Sequence, residues 1–171
     1  MIEKRASELP VLRRSHRERR ANLIGMLGEE LVKYWLSLEG FNSRVVGEID
    51  HDMEIELGAG KLVHVDIKTK DRTVIPDPKH EATVPAYVYD KQEPDYYVFV
   101  SLLREKGEGD IVFKRAFVVG AISRSDFDKK KYFVEKGNKP NGANFFCDAW
   151  NINISSLDSP EAFLGSVKAH G

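Results

Sequence analysis

The sequence predicts an α/β (or α+β) fold in which an amphipathic helix precedes several β-strands. Three observations lead to this prediction: apolar residues recur at helical spacing through residues 21–39, apolar and acidic residues alternate through 48–57, and residues 62–69 form another alternating apolar run. The chain has 171 residues, of which 42% are hydrophobic. Since that is enough to bury a sizeable core, we expect one domain over residues 1–171, with a basic helical extension over about residues 1–20.

The first predicted helix joins a basic cluster to an apolar face. Residues 13–20 read RRSHRERR and continue without glycine or proline into residues 21–39, so one long helix can hold both segments. Gly40 supplies a C-terminal stop. The apolar face consists of Ile24, Leu27, Leu31, Trp35 and Leu38.

A β-hairpin is predicted after this helix. Residues 43–46 favour a short strand, and the alternation in 48–57 is typical of a strand with one acidic face. The turn at 58–60, Gly-Ala-Gly, is short enough to join that strand to residues 62–69. The acidic face then meets Asp66 and Lys68 across the hairpin.

The second half of the sequence predicts a long connection, a second hairpin and a terminal helix. Prolines at 76, 78, 85 and 94 indicate an irregular connection over residues 71–95, beside the predicted site. Strands over 96–103 and 111–122 are expected to pair through a charged turn. The remaining signals are Ser125-Asp126 at the start of a short helix, a last strand over 150–154, and a helix start at 158–161.

Charge, cysteine content and the lack of long apolar runs exclude several classes of protein. The formal net charge is −1, so a surface for nucleic acid must come from local clusters of Lys and Arg. Cys147 is the only cysteine, which excludes an intrachain disulfide and a cysteine-rich zinc site and suits a reducing cytoplasm. The first residues lack the apolar core of a signal peptide, and no apolar run is long enough to span a bilayer. We therefore expect a soluble, cytoplasmic protein without a membrane partner.

The chemistry is concentrated around Asp66 and Lys68. Two residues apart on a strand, they project from the same face and place a carboxylate beside an ammonium. We interpret Asp66, with either Asp50 or Asp52, as a site for Mg²⁺, with Mn²⁺ as the expected substitute, because carboxylates are hard oxygen ligands. Lys68 would orient or deprotonate a water that attacks a phosphodiester, and Glu29 would complete the site.

The same residues carry a resemblance to a known superfamily. The runs GMLGEEL at 25–31, GEID at 47–50 and LVHVDIKTK at 62–70 follow one another in the order of the PD-(D/E)XK nucleases. The sequence resembles the Holliday-junction-resolvase-like and restriction-endonuclease-like branches of that superfamily. This resemblance implies a restriction-endonuclease-like central mixed β-sheet flanked by helices, a single nuclease-like domain, and divalent-metal-dependent hydrolysis of DNA.

The resemblance also assigns roles by position. Glu29 matches the helix glutamate, Asp66 the metal-binding acid and Lys68 the catalytic lysine. For the middle acid the tetrapeptide favours Asp50 and the spacing favours Asp52, so both remain candidates for catalysis and metal binding. Many of these nucleases act as dimers, and a homodimer that uses the aromatic strands 96–103 and 111–122 as its interface is expected by analogy.

Several basic residues are candidates for contact with the phosphate groups of DNA. The alternative for the N-terminal cluster is a solvated helix face. The histidines at 16, 51, 64, 80 and 170 show no spacing typical of a zinc site, and no glycine-rich phosphate loop predicts a nucleotide cofactor. The candidates for DNA contact are Arg13, Arg14, Arg17, Arg19, Arg20, Lys70 and Arg72.

Two other functions compete with a DNA endonuclease. One is a non-catalytic module that keeps a nuclease-like fold and binds nucleic acid or a partner protein. The other is an unrelated α+β interaction protein, in which Asp66 and Lys68 form only a surface salt bridge. Metal-dependent cleavage separates the first hypothesis from both competitors.

Overall fold

A five-stranded mixed sheet forms the centre of the structure, a computed structural model that describes residues 17–46, 50–107, 111–138 and 145–170. The strands are β1 (Asn42–Val45), β2 (Met53–Glu56), β3 (Leu62–Arg72), β4 (Glu81–Pro85), β5 (Tyr96–Arg104), β6 (Phe113–Ser123), β7 (Tyr132–Val134) and β8 (Ala149–Asn153). The α-helices are α1 (Arg17–Leu38), α2 (Ala86–Tyr89), α3 (Arg124–Lys130) and α4 (Pro160–His170). Short 3-10 turns cover Gly58–Gly60 and Ile154–Ser156.

The order of the strands explains how the sheet is mixed. The larger sheet has the order β1-β2-β3-β5-β6, in which only the β3–β5 pair is parallel. A second, three-stranded antiparallel sheet has the order β4-β8-β7. The predicted α/β fold with a central mixed sheet flanked by helices is therefore confirmed, as are the two hairpins β2–β3 and β5–β6.

The two faces of the larger sheet are covered by different elements. Alternate residues of β3, including Val65 and Ile67, join α1 and α4 in one apolar cluster. Tyr97 and Phe99 of β5 face the other way and pack with β4, β8 and α3. Asp66 is in register with Tyr97. It therefore projects toward the second sheet, which leaves its carboxylate between two layers of structure.

Helix α1 lies close to β3 because of one glycine. A Cβ atom added at Gly28 would lie 1.7 Å from Oγ1 of Thr69. Ile24, Val32 and Leu36 on the same helix are buried against the sheet. The absence of a side chain at Gly28 thus allows α1 to approach β3, and it places Glu29, the next residue, at the edge of the contact.

The structure corrects two elements that the sequence predicted. The acidic strand expected over 48–57 is shorter, since β2 begins at Met53; residues 47–49 lie outside the described ranges. The connection over 71–95 is not irregular, because it contains β4 and α2. Pro85 is the last residue of β4, an edge strand, where a missing N–H group is tolerated. The pairing of β4 with β8 joins residues about 70 positions apart, which no local pattern encodes.

The aromatic strands are also placed differently from the expectation. Tyr96, Tyr97 and Phe99 lie on a strand with neighbours on both sides, and their side chains are buried in the two clusters. These three side chains are therefore not available to a dimer interface, whereas the expectation for β6, an edge strand of the sheet, stays a prediction. Ser123, rather than Ser125, caps α3, because its hydroxyl accepts a hydrogen bond from the Asp126 N–H.

The predicted N-terminal contacts with DNA cannot be placed. Arg13 and Arg14 lie outside the described residues, and the side chains of Arg17, Arg19 and Arg20 are outside the description as well. Within the described ranges, no helix combines the length and the apolar character needed to cross a bilayer.

Gly28→Ala is expected to destabilise the protein by about 1–3 kcal/mol, because the new methyl group overlaps Thr69 and forces α1 away from β3. Gly25→Ala is the matched control on the same helix, since a Cβ there meets no atom within 4 Å. That variant should be neutral or stabilised by up to about 1 kcal/mol through its higher helix propensity. Urea unfolding of both variants measures the difference, and equal stabilities would contradict the close contact.

Candidate active site

Asp66 and Lys68 form the centre of a polar cluster on β3. The Asp66 side chain is fully buried, and Lys68 Nζ lies 2.5 Å from its Oδ2. Lys68 Nζ is thus paired with Oδ2, whereas Oδ1 has no hydrogen-bond partner among the described residues. The sequence prediction that the two side chains share a face is confirmed.

Burial dominates the electrostatics of Asp66. The loss of solvent raises the pKa of this carboxyl to about 7, Lys68 acts in the opposite direction, and the charge of Asp52 raises the pKa further. A carboxyl with such a pKa is partly protonated near neutral pH. A cation bound next to it would favour the ionised form.

Asp52 reaches Asp66 across the hairpin. Its backbone N–H donates to the Val65 carbonyl at 3.0 Å, and its Oδ2 accepts from the Ile67 N–H at 2.8 Å. Both ends of the residue are therefore fixed to β3. This anchoring explains why the charge of Asp52 acts on Asp66 directly.

Asp50 does not join these residues. Its side chain is 58% exposed and its Oδ1 lies 3.3 Å from Nδ1 of His51. The expectation that Asp50 and Asp52 share one face of a strand was wrong, because both residues precede β2 and strand alternation does not apply to them. Of the two alternatives for the middle acid, only Asp52 neighbours Asp66.

Glu29 approaches the same cluster from α1. Partial burial raises its pKa, the charges of Asp52 and Glu30 raise it further, and Lys68 lowers it. Glu30 is exposed whereas Glu29 is partly buried. The helical geometry predicted that only one of these neighbouring glutamates faces the cluster, and Glu29 is that residue.

Gln92 is a member of the cluster that the sequence analysis missed. It is buried, and its Oε1 accepts a hydrogen bond from Lys68 Nζ at 3.2 Å. Its backbone carbonyl accepts from Arg124 Nη1 at 2.5 Å, so the residue is fixed at both ends. A local feature of the sequence that could have drawn attention to Gln92 is Tyr96 four residues later, although Tyr96 itself packs against Phe163.

A cleft of about 640 Å³ opens beside Lys68, between the two sheets. Lys70 lines it, and burial together with the neighbouring Arg72 lowers the pKa of this amine. Arg72 also borders the cleft, but its guanidinium donates to the Glu81 carbonyl at 2.6 Å and to the Ser101 hydroxyl at 3.2 Å. These internal bonds give Arg72 a role in joining β3, β4 and β5.

A mixed cluster of histidine and glutamate lies on the same hairpin. His51, Glu54 and His64 each offer one ligand atom, and these atoms all lie within 4.8 Å of one another. The sequence spacing of the histidines did not indicate this cluster. The pairing of β2 with β3 creates it, since Glu54 is directly opposite His64.

The residues around Asp66 fit a divalent cation. The buried Asp66 carboxylate, whose Oδ1 has no hydrogen-bond partner among the described residues, and the adjacent Asp52 carboxylate are a donor set that suits Mg²⁺ or Mn²⁺. Asp52 and Asp66 would hold the ion, and Glu29 is placed to bind one of its water molecules. Asp50, the other candidate for a metal ligand, is largely exposed and lies beside His51.

Comparison with known proteins finds remote similarity among solved structures. No known protein family matches the sequence, and no curated protein is significantly similar to it. Among solved structures, the chain is similar to Archaeoglobus fulgidus Hjc, a Holliday junction resolvase from an archaeal hyperthermophile. The similarity covers 59% of this chain and 84% of the resolvase, with 15% sequence identity and a TM-score of 0.30. Likeness at this level does not transfer a function, so the proposed function depends on the geometry of the site.

Asp66→Asn is expected to stabilise the metal-free protein at pH 8 but not at pH 5. The native carboxyl keeps its proton up to about pH 7, whereas the unfolded chain loses it near the ordinary value of 3.8. Between these values the native state binds the extra proton, so the contribution of Asp66 to stability falls as the pH rises. The gain for the variant should be larger at pH 8 than at pH 5 by roughly 1–3 kcal/mol, since each pH unit between 5 and 7 changes the stability by about 1.4 kcal/mol.

Urea unfolding at both pH values, in the presence of a chelator, measures this effect. A stability difference that is the same at pH 5 and pH 8 would show that the Asp66 carboxyl titrates normally.

Proposed function

We propose that the protein is a Mg²⁺-dependent endonuclease that hydrolyses phosphodiester bonds of DNA, with Mn²⁺ as a substitute ion. The observation that carries this proposal is the placement of Lys68 between the buried Asp66 carboxylate and Gln92, with Asp52 alongside. The resemblance of the motifs to PD-(D/E)XK nucleases supports the same reaction.

Each residue has a separate part in the proposed reaction. Bound by Asp52 and Asp66, Mg²⁺ would neutralise charge on the scissile phosphate and acidify a water molecule. Lys68 Nζ, held from two sides, would donate a hydrogen bond to a phosphate oxygen as negative charge develops there. Gln92 would position Lys68, and Glu29 would orient water at the edge of the site.

The cleft beside Lys68 suits a nucleic-acid strand. The accessible aromatic side chains of its lining are Phe145 and Phe146, and Lys68 and Lys70 place positive charge on its wall. Stacking surfaces next to cationic groups are the features that bind unpaired nucleotides. We infer that one DNA strand enters this cleft with its phosphate at Lys68. Cutting both strands of a duplex would require two such sites, which a homodimer would supply.

Cleavage of supercoiled plasmid, branched DNA and single-stranded DNA in Mg²⁺ is the direct assay. The wild-type protein should cleave at least one of these substrates, and a chelator should abolish the reaction. Glu29→Gln is expected to reduce the rate about 10- to 100-fold, because it removes the charge that orients water. Glu30→Gln is the matched control on the exposed neighbour and should leave the rate unchanged.

Asp66→Asn should lose cleavage while its circular dichroism spectrum stays native. If the folded wild-type protein cleaves none of the DNA substrates in Mg²⁺ or Mn²⁺, the endonuclease proposal is wrong. Salt-sensitive DNA binding without cleavage would select the non-catalytic binding module.

Lys70→Ala is expected to weaken binding of single-stranded DNA several-fold and to reduce the salt dependence by about one phosphate contact. Lys114→Ala is the control, because Lys114 is an exposed lysine of β6 that pairs with Glu105 at 3.0 Å and does not line the cleft. Fluorescence anisotropy in a chelator, over a series of salt concentrations, compares the variants. Equal losses for the two lysines would indicate non-specific attraction and exclude the cleft as the path of the strand.

A further inference from the structure

A second cluster of donor atoms lies on the hairpin next to Asp66. Glu54 of β2 is paired with His64 of β3, and His51 precedes β2. The imidazole rings of His51 and His64 stack with their centroids 4.2 Å apart and their planes 16° from parallel. His51 and Glu54 are buried, and His64 is partly buried. Two imidazoles and one carboxylate are thus held together, largely shielded from solvent.

The carboxylate of Glu54 is oriented by Arg44. Arg44 donates to Oε2 through Nε at 2.6 Å, and its Nη2 lies 2.5 Å from the same oxygen. The other oxygen, Oε1, faces His51 Nε2 at 3.4 Å. One oxygen is therefore occupied by the guanidinium, while the second points toward the imidazoles and is available to a cation.

The imidazole of His51 is oriented in a similar way by Asp50. The Asp50 Oδ1 atom lies 3.3 Å from Nδ1 of His51, on the side of the ring opposite to Glu54. A proton on Nδ1 leaves the lone pair of Nε2 in the ring plane, directed toward Glu54 Oε1. Because His64 stacks on the face of the His51 ring, the His64 ring must turn about its Cβ–Cγ bond to bring a nitrogen to the same ion. Carboxylates hold metal-binding histidines in this manner in zinc sites. No described residue makes a hydrogen bond to the ring nitrogens of His64, so this ring also has a free donor atom.

We propose that His51 Nε2, one ring nitrogen of His64 and Glu54 Oε1 bind a Zn²⁺ ion, with Asp50 and Arg44 as positioning residues. Imidazole nitrogens favour zinc over magnesium, whereas the carboxylates of the active site have the opposite preference. Three protein ligands leave a fourth position for water. The ion would fix the segment before β2 to β3, and thereby the residue that follows His51, Asp52.

Zn²⁺ titration of the tag-free, chelator-treated protein by calorimetry tests the site, with excess Mg²⁺ present to occupy the carboxylates. The wild-type protein should bind one Zn²⁺ per chain at this site. His64→Ala and His51→Ala should each weaken that binding at least ~100-fold, and Asp50→Asn should weaken it about 10-fold through the loss of ring orientation. Co²⁺ used in place of Zn²⁺ should give visible absorption bands that disappear in the same variants.

Two control variants distinguish zinc binding at this cluster from zinc binding by other residues. His80→Ala removes a histidine outside the cluster, whose Nδ1 accepts a hydrogen bond from the Asp77 N–H, and should leave zinc binding unchanged. Asp66→Asn should also keep it, because the nuclease site does not supply these ligands. His64 is the safer of the two ligand variants, since it is only partly buried and its removal leaves the core intact.

The proposal is overturned if the wild-type protein does not bind Zn²⁺, if binding survives in a folded His64→Ala variant, or if Asp66→Asn abolishes it. In the first case the cluster is a hydrogen-bonded contact that stabilises the hairpin. None of these measurements uses DNA cleavage. Failure of the zinc site therefore leaves the proposed nuclease function untouched, and the reverse also holds.

Discussion

The buried carboxylate of Asp66 is the constraint on which the rest of the site depends. Removing an ionised carboxylate from water costs several kcal/mol, and here that cost raises the pKa of the group to about 7. Lys68 offsets part of this cost at 2.5 Å, and Gln92 holds Lys68 from the other side. An apolar residue at position 66 would pack between the sheets with no such penalty. A carboxylate at position 66 therefore lowers the stability of the fold, and such a group is typical of a functional site.

The hairpin β2–β3 carries both groups of possible metal-ligating atoms, the carboxylates around Asp66 and the cluster of His51, Glu54 and His64. Its register places Glu54 opposite His64. The Asp52 N–H donates to the Val65 carbonyl and the Ile67 N–H donates to Asp52 Oδ2, which continues the contact beyond the end of β2. A shift of the register by one residue would exchange the faces of every side chain on one strand. The carboxylates of Asp52 and Asp66 and the imidazoles of His51 and His64 therefore depend on the same strand pairing, although carboxylates and imidazoles suit different cations.

The sequence predicted those parts of the fold that depend on local periodicity. The helix through residues 21–38, both hairpins and the C-terminal helix follow from apolar spacing, glycine turns and capping residues. The small sheet was missed because β4 and β8 recognise each other over a long separation, and because prolines in the connection suggested irregular structure. In the candidate site, the sequence predicted that Glu29, on a helix, and Asp66 and Lys68, on one face of a strand, come together. Gln92 lies in the connection between α2 and β5, and its contact with Lys68, in the middle of β3, joins residues 24 positions apart, about which periodicity gives no information.

Asp50 and Asp52 show how far two nearby residues can diverge when strand alternation stops. A continuous strand would have given them the same face and equivalent roles, and the sequence left the choice between them open. Because β2 begins only at Met53, the backbone can turn Asp52 inward to the Ile67 N–H while Asp50 stays at the surface beside His51. The two carboxylates then belong to different clusters, Asp52 beside Asp66 and Asp50 beside His51. Asp50, His51 and Asp52 are consecutive in the chain. A shift of the backbone that moves His51 therefore also moves Asp52, so the two clusters are coupled in position.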